Sequence, residues 1–428
     1  MTEFLIANMA PLMFATLIVF LLLGFPVAFA LAANGIVFGL LGIELGLLTP
    51  ALFQALPQRV LGVVMNDALL ALPFFTLMGL ILERSGMAED LLETIGQLFG
   101  PMRGGLAFAV VAVGALLAAT TGVVSASVIS MGLISLPIML RYGYDRRLAS
   151  GVIAASGTLS QIIPPSLTLI ILADQLGRSV GDMYLGAILP GLILTGLYML
   201  YVAFLTLTQP KMVPALPAEA RTFVEPNGGH GVPSLALMMS IAAVIAIVID
   251  RRCVIGILVW GAAAFCMAVV NKLLGLGLLS RISERVTFVM IPPLTLVFLV
   301  LGTIFLGVAT PTEGGAMGAV GALIMALSRQ RLTLPLLRQA MESTTRLTCF
   351  AIFILIGSTV FSLTFRAVNG DLWVEHLLVR LPGGEMGFLI FVSVFVFVAA
   401  FFLDFFELAF IIVPLLGPIA DKMGIDLI

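Results

Sequence analysis

The sequence predicts an all-α polytopic membrane protein, and three observations carry that reading. Of the 428 residues, 61% are hydrophobic and only 10% charged, with a mean hydropathy of +1.19; no soluble core needs so much apolar sequence. The apolar residues fall into runs of roughly membrane-crossing length, separated by polar turns. Two of these runs are interrupted by small, hydroxyl-bearing or proline residues. Irregular backbone at membrane depth persists only where protein buries it or a polar cavity lines it. A formal net charge of −2 without a basic stripe excludes a nucleic-acid partner.

In chain order, Met9–Leu23 and Val27–Leu41 read as a helical pair hinged at Gly24-Phe25-Pro26. A loop follows through Pro57 and Asn66-Asp67, then a span from Ala68 to Leu82. Residues 83–103 are short, charged and amphipathic, a pattern suited to the membrane interface. Next comes Leu106–Thr120, a core of Thr121, Gly122, Ser125 and Ser127, and Val128–Leu140. Arms of about 13 to 15 residues are short for a ~30 Å hydrocarbon layer, which predicts a re-entrant hairpin. After a turn carrying Arg141, Arg146 and Arg147, the segment GTLSQIIPPS (157–166) removes two backbone donors through Pro164 and Pro165, so the helix there must break.

A span at 184–207 leads to a Pro/Gly-rich polar stretch, 209–233, read as a linker. Two further spans, 235–249 and 254–270, precede a basic turn with Lys272, Arg281 and Arg285. Cys253, Cys266 and Cys349 lie in apolar segments and read as inert packing residues. His230 in the linker and His376 in a predicted loop lack metal-ligand spacing. Gly100-Pro101, Gly370, Gly383 and Gly384 read as turn or hinge positions, and Phe401-Phe402 and Phe405-Phe406 as faces toward lipid or scaffold.

The second half echoes the first. Leu136–Asp145 (LPIMLRYGYD) aligns with Gly417–Asp426 (GPIADKMGID) at an offset of 281, and Gly24–Gly35 with Ala309–Val320 at an offset of 285. On that register the first hairpin tip corresponds to FFLDFFEL, 401–408. The arginine-rich turn after the first hairpin belongs on the cytoplasmic side, whereas its counterpart holds Asp421, Lys422 and Asp426, so the two copies are predicted to be inverted. That arrangement puts the N-terminus outside and the linker inside. Arg329, Arg331, Arg338 and Arg346 fall inside as expected, while Arg251-Arg252 falls outside against the rule. Inverted repeats with broken helices at the midplane are a recurring plan of secondary transporters. The predicted organisation is a repeat over 1–207 (hairpin 105–140, broken helix 148–177), a cytoplasmic linker over 208–233, an inserted pair over 234–285, and a second repeat over 286–428 with a hairpin at about 386–420. The repeat predicts a partner for the Pro164-Pro165 break beyond Ile428, so the chain reads as cut short there.

At four places the chain resembles the large membrane subunit of TRAP transporters (tripartite ATP-independent periplasmic transporters). These are the T-G-x-x-S-A-S hairpin tip with its following GYD turn, GTLSQIIPPS, GVATPTEGGAMGA (307–319), and FFLDFFELAFIIVPLLGPIADKMGID (401–426). The spans between linker and second half look like an insertion of a longer-chain branch. The chain departs from the pattern at Val123 and Val124, where the family often has serine, and at Ser160, where it usually has glycine. The resemblance implies an elevator-type transporter in the bacterial inner membrane that imports an organic anion with sodium. A periplasmic substrate-binding protein would deliver the solute, and a small four-span membrane subunit would stand beside the chain. No cofactor is implied besides the sodium ions.

Sodium requires hard oxygen ligands, and carbonyls freed at hairpin tips and broken helices supply them without burying a full charge. The expected ion site joins Thr121, Gly122, Ser125 and Ser127 to Gly157, Thr158, Ser160, Ile163, Pro164, Pro165 and Ser166, with Thr121, Gly122, Ser125, Ser160, Ile163 and Pro165 as sodium ligands. Small residues that merely permit close helix packing are the competing account. Thr310-Pro311-Thr312-Glu313 reads as a second break, with Thr310 capping a helix that starts at Pro311 and Glu313 either completing the cap or binding an ion. Asp404 and Glu407, three apart in the second hairpin, are expected to be ligands or gates, with a cation or Arg366 offsetting their charge. Half-helix N-termini offer partial positive charge to an anionic solute. A standalone cation-coupled carrier or exchanger of the same plan is the alternative. An intramembrane enzyme finds no HExxH, no facing aspartates and no Ser/His dyad, and a purely structural subunit gives no reason for two broken hairpins.

Overall fold

The computed structural model describes residues 2–121, 124–220, 232–249, 253–275 and 279–428, and these are helical, without a strand among them. The order is α1 (Thr2–Ala7), α2 (Met9–Leu22), α3 (Val27–Glu44), α4 (Ala51–Gln54), α5 (Leu56–Val64), α6 (Ala71–Arg84), α7 (Met87–Phe99), α8 (Gly105–Thr121), α9 (Val124–Arg141) and α10 (Arg146–Thr158). A 3₁₀ turn (Leu159–Gln161) then leads to α11 (Leu167–Leu176), α12 (Val180–Thr208), α13 (Val232–Ile249), α14 (Cys253–Leu274), α15 (Arg281–Phe305) and α16 (Pro311–Ser328). The chain continues through α17 (Leu334–Ala367), α18 (Gly370–Val379), α19 (Gly384–Ala399), α20 (Phe405–Ile411) and α21 (Val413–Lys422). Among the described residues, four helices are long and apolar enough to cross a membrane, or five if the bent pair at residues 51–84 is one span. On α12, Leu189, Leu200 and Leu207 are 65%, 64% and 83% exposed, a face that suits lipid and not water.

Most predicted spans stand within a few residues of their expected bounds. The loop expected before Asn66 is instead α4 and α5, because Pro57 occupies the first turn of α5, where a missing N–H is harmless. His376 lies in α18 and not in a loop. Cys266 and Cys349 are free and exposed, so they are not core-packing residues; the Cys253 side chain, His230 and Arg251-Arg252 lie outside the described residues. The first hairpin's arms have 17 and 18 residues, longer than the predicted 13 to 15.

Two compact units divide the chain. The first comprises Met1–Leu69, Ile171–Ser179 and Thr345–Ile428; the second comprises Leu70–Ile170 and Val180–Thr344. In the first, α3 and α17 cross at glycines. A Cβ on Gly357 would stand 2.4 Å from the Ala28 carbonyl oxygen, and one on Gly35 2.8 Å from that of Val360. The Thr364 hydroxyl donates to the Gly35 carbonyl at 2.8 Å across the same crossing, so small residues allow the backbones to approach. Leu378, Phe388 and Ile419 join α18, α19 and α21.

In the second unit α16 packs along α6, α10 along α8 and α9, and α13 on α14. Its core gathers Val110, Val113, Met131, Ile153 and Val202 from four helices. Residues 209–220 are not the loose tether the composition suggested. Gly104 N–H donates to the Val213 carbonyl at 3.0 Å, Asp145 N–H to Met212 at 3.2 Å, and Leu216 N–H to Gly100 at 2.9 Å. This strap therefore holds both ends of the α8–α9 hairpin, and Val213 is fully buried beneath it.

Tyr144 belongs to the same clasp. Its hydroxyl accepts from Leu106 N–H at 3.2 Å, and burial pushes its ionisation up to about 12. An unfolded tyrosine ionises near pH 10, so the buried form binds the proton more tightly and stability falls as pH rises through the interval between. Tyr144→Phe is expected to lower stability by about 1–3 kcal/mol at neutral pH, through the orphaned amide, and to flatten the alkaline fall. Thermal unfolding across pH in detergent measures both.

The left-handed backbone positions repeat along the chain. Gly24 and Gly307, Gly46 and Gln330, Gly86 and Asn369, Gly104 and Gly383, and Gly143 and Gly424 all have positive φ and lie 279 to 284 residues apart. Each of these positions lies at a helix boundary.

Candidate functional site

The broken helix supplies the first half of the site. After α10, the amides of Ile162 and Ile163 both donate to the Leu159 carbonyl at 3.0 Å, tightening the turn. Pro164 and Pro165, joined by a cis peptide, have no N–H to offer the carbonyls four residues earlier. Gln161 is compensated by the Ser166 hydroxyl, which donates to its carbonyl at 2.7 Å. The Ser160 carbonyl loses its helical donor because residue 164 is proline.

The hydroxyls of this stretch are turned onto their own backbone. Ser160 Oγ donates to the Gly157 carbonyl at 2.8 Å and Thr158 Oγ1 to Ala155 at 2.7 Å. Ser160 and Ser166 are fully buried, whereas Thr158 is exposed. The hydroxyl lone pairs remain available to a cation because each oxygen acts here as a donor.

The hairpin lies against this break, as the sequence predicted, for α8 and α9 both pack on the 3₁₀ turn and on α10. Gly157 sits at the contact: a Cβ there would come 2.2 Å from Val128 Cγ2 and 3.2 Å from Val128 Cα. Gly114 is closed similarly by Ser156. Both glycines are therefore packing residues, and for Gly157 this role adds to the expected place at the site. Ile163 touches α12, within 3.1 Å of a Cβ built on Gly191. Thr121 ends α8, Ser125 stands in the first turn of α9, and Ser127 is 2% exposed. Gly122, Val123 and the side chains of Thr121 and Ser125 lie outside the described residues.

Thr310 to Glu313 form a complete capping box. Thr310 N–H donates to Glu313 Oε2 at 2.8 Å, and Glu313 N–H to Thr310 Oγ1 at 3.3 Å, with Pro311 in the first turn and Thr312 beside it. Behind the cap, α16 presses on its neighbours through glycines, Gly314 against Ile304 and Gly315 against Phe74 and Phe75. The structural role predicted for Thr310 is what the geometry shows. Because Gln can accept the same amide, Glu313→Gln is expected to lower the melting temperature slightly and leave sodium half-saturation unchanged. A large rise in the sodium requirement would make Glu313 a ligand.

In the first unit, Asp404 and Glu407 form a second capping box, with Asp404 N–H donating to Glu407 Oε2 at 2.9 Å. Their expected partner Arg366 makes no ion pair with them among the described residues; the helix N-terminus offsets their charge instead. Both α16 and α20 thus carry a carboxylate of their own at the end where an anionic solute was expected.

Sequence reasoning missed one feature here. A cavity of about 370 Å³ lies beside Glu407, lined by Phe25, Phe29, Phe350, Phe353 and Phe402. A hint was present, since the alignment of the two halves read from the sequence sets Gly24-Phe25-Pro26 opposite Ala309-Thr310-Pro311. No cluster of His, Cys, Asp and Glu suited to a metal ion occurs among the described residues.

Comparison with known proteins gives a consistent picture. A family profile described as "Tripartite ATP-independent periplasmic transporter, DctM component" matches residues 14–428. The chain is similar to the C4-dicarboxylate TRAP transporter large permease protein DctM of Vibrio cholerae, at 28% identity over 97% of this chain and 82% of that one. It is similar to the protein of the same name from Pseudomonas aeruginosa, at 26% identity over 89% of this chain and 76% of the other. It also resembles the ectoine TRAP transporter large permease protein TeaC of Halomonas elongata, at 24% identity over 98% and 83%. An all-helical, apolar chain with two helix-capping breaks and a matching profile over nearly its whole length is a multi-pass transport protein and not an enzyme: it belongs to the DctM component family of the tripartite ATP-independent periplasmic transporters.

Proposed function

We propose that the chain imports a carboxylate-bearing organic solute together with sodium, as the large membrane subunit of a tripartite system in a bacterial inner membrane. A periplasmic binding protein delivers the solute and a small four-span subunit accompanies the chain. The observation that carries this reading is the Ser160 carbonyl, deprived of its helical donor by Pro164 and packed beside the hairpin that brings Ser125 and Ser127. Such an oxygen suits a hard, partly dehydrated cation. Sodium would be held by the oxygens of Thr121, Gly122, Ser125, Ser160, Ile163 and Pro165.

Two inverted copies and an elevator movement complete the proposal. The paired left-handed positions, 279 to 284 residues apart, support the repeat, and the opposite charge of the two post-hairpin turns supports its inversion. With α16 and α20 already capped by their own carboxylates, the solute's carboxylate is assigned to the start of α11, whose first turn holds no acidic residue. The names of the relatives supply the solute class, C4-dicarboxylate in two and ectoine in the third.

The test is uptake of a labelled C4-dicarboxylate into liposomes holding this chain, the small subunit and the binding protein. Accumulation should require an inward sodium gradient and all three components. Uptake without sodium, or by this chain alone, would overturn the proposal.

A further inference from the structure

At one end of the second unit, α7, α14, α15 and α16 enclose an open cavity of about 970 Å³, at the upper end of the usual range for ligand sites, about 300–1,000 Å³. Five cations line it, Lys272, Arg281, Arg285, Arg329 and Arg331, against two carboxylates, Asp90 and Glu284. Asp90 gathers three of the arginines: Arg331 at 2.8 Å, Arg329 at 3.2 Å and Arg285 at 3.7 Å. Arg285 also reaches Glu93 at 3.0 Å, and Glu284 takes the Asn271 amide at 2.7 Å. Arg329 is further anchored on the Phe288 carbonyl at 2.5 Å. Positive charge therefore exceeds negative around the cavity, an arrangement suited to an oxyanion such as a phosphodiester.

Its surroundings identify the carrier of that anion. Lys272 stands 5.1 Å from the Phe288 ring centroid, and the residues just after it, Leu273 and Leu274, are 79% and 67% exposed. Phe265, Val289, Pro292 and Met325 complete the apolar part of the wall. A charged pocket opening onto a bare apolar helix end matches a molecule with an anionic head and a hydrocarbon tail, and basic pockets between membrane helices recognise lipid phosphates in this manner. We propose that this cavity binds the phosphate headgroup of an anionic phospholipid whose acyl chains lie along the end of α14. The site is separate from the transport chemistry above and uses none of its residues.

The experiment compares phosphatidylglycerol with phosphatidylcholine added to the purified full-length chain in neutral detergent, read by native mass spectrometry and thermal unfolding. Phosphatidylglycerol should remain bound and raise the melting temperature, and raising the salt to about 0.5 M should weaken it by screening. Lys272→Gln with Arg281→Gln should weaken phosphatidylglycerol roughly tenfold, leaving phosphatidylcholine unaffected, while Arg59→Gln, on exposed α5, changes nothing. Equal retention of the two lipids by the unsubstituted chain would overturn the proposal, whatever the variants do. Full competition by millimolar inorganic phosphate would overturn it in favour of a free-anion site, and displacement of the lipid by the small subunit would overturn it in favour of a protein contact.

Discussion

Gly157→Val is expected to deplete folded protein and, with it, all transport. The added Cβ would stand 2.2 Å from Val128 Cγ2, far inside contact distance. Valine 128 is β-branched and stiff about its first torsion, and its Cα at 3.2 Å from the same point is backbone, so neither can yield easily. Gly157→Ala should cost about 1–3 kcal/mol, in the range of overpacked cores; the larger valine should exceed it. A double substitution tells packing from ligation. Val128→Ala removes the methyl that collides, so Gly157→Ala made in that background should recover most of the lost melting temperature and sodium-dependent uptake. Recovery of stability without recovery of uptake would mean that the Gly157 backbone does more than permit the approach.

That glycine also shows what local pattern could and could not reveal. The break at Pro164-Pro165 was readable because a missing N–H is a property of the residue itself. The hairpin was readable because small residues interrupt two apolar arms. Whether Gly157 faces an ion or a neighbouring helix depends on Val128, a contact made in space, and no sequence period encodes it. The strap at 209–220 was missed for the same reason: its donors are Gly104 and Asp145, far off in sequence, so the composition alone suggested a linker. Pro57 misled because proline stops a helix in its interior but suits its first turn.

The acidic residues make the point most clearly. Thr310-x-x-Glu313 and Asp404-x-x-Glu407 share one spacing, that of a capping box. It was recognised as such only in the first, where Pro311 advertises a helix start. In the second, burial of a carboxylate in an apolar segment suggested an ion ligand. The structure gives both the same local role, so none of the three carboxylates is needed as a sodium ligand by the proposal, whose ligands are all neutral oxygens. Five phenylalanines drawn from three separate segments line the cavity beside Glu407, and a feature so assembled has no local signature in the sequence.

Because the proposal relies on neutral oxygens for the cation, the outcome at Ser125 is decisive for it. Ser125→Leu is expected to abolish sodium-dependent uptake at a normal level of folded protein. The position lies in the first turn of α9, close in sequence to Val123 and Val124, which carry no side-chain oxygen. Few side-chain oxygens remain there, so loss of one should be felt strongly. A lost polar contact to a bound cation is worth about 1–3 kcal/mol, which is roughly ten- to a hundred-fold in ion affinity, and the added leucine bulk raises the penalty. Ser125→Ala separates the two contributions, since it removes the hydroxyl without adding volume. It should raise the sodium concentration for half-maximal uptake and preserve the maximal rate at saturating sodium. If both variants keep the parent sodium dependence, the cation is not held at this hairpin, and the Ser160 carbonyl would then lack the partner that gives it a function.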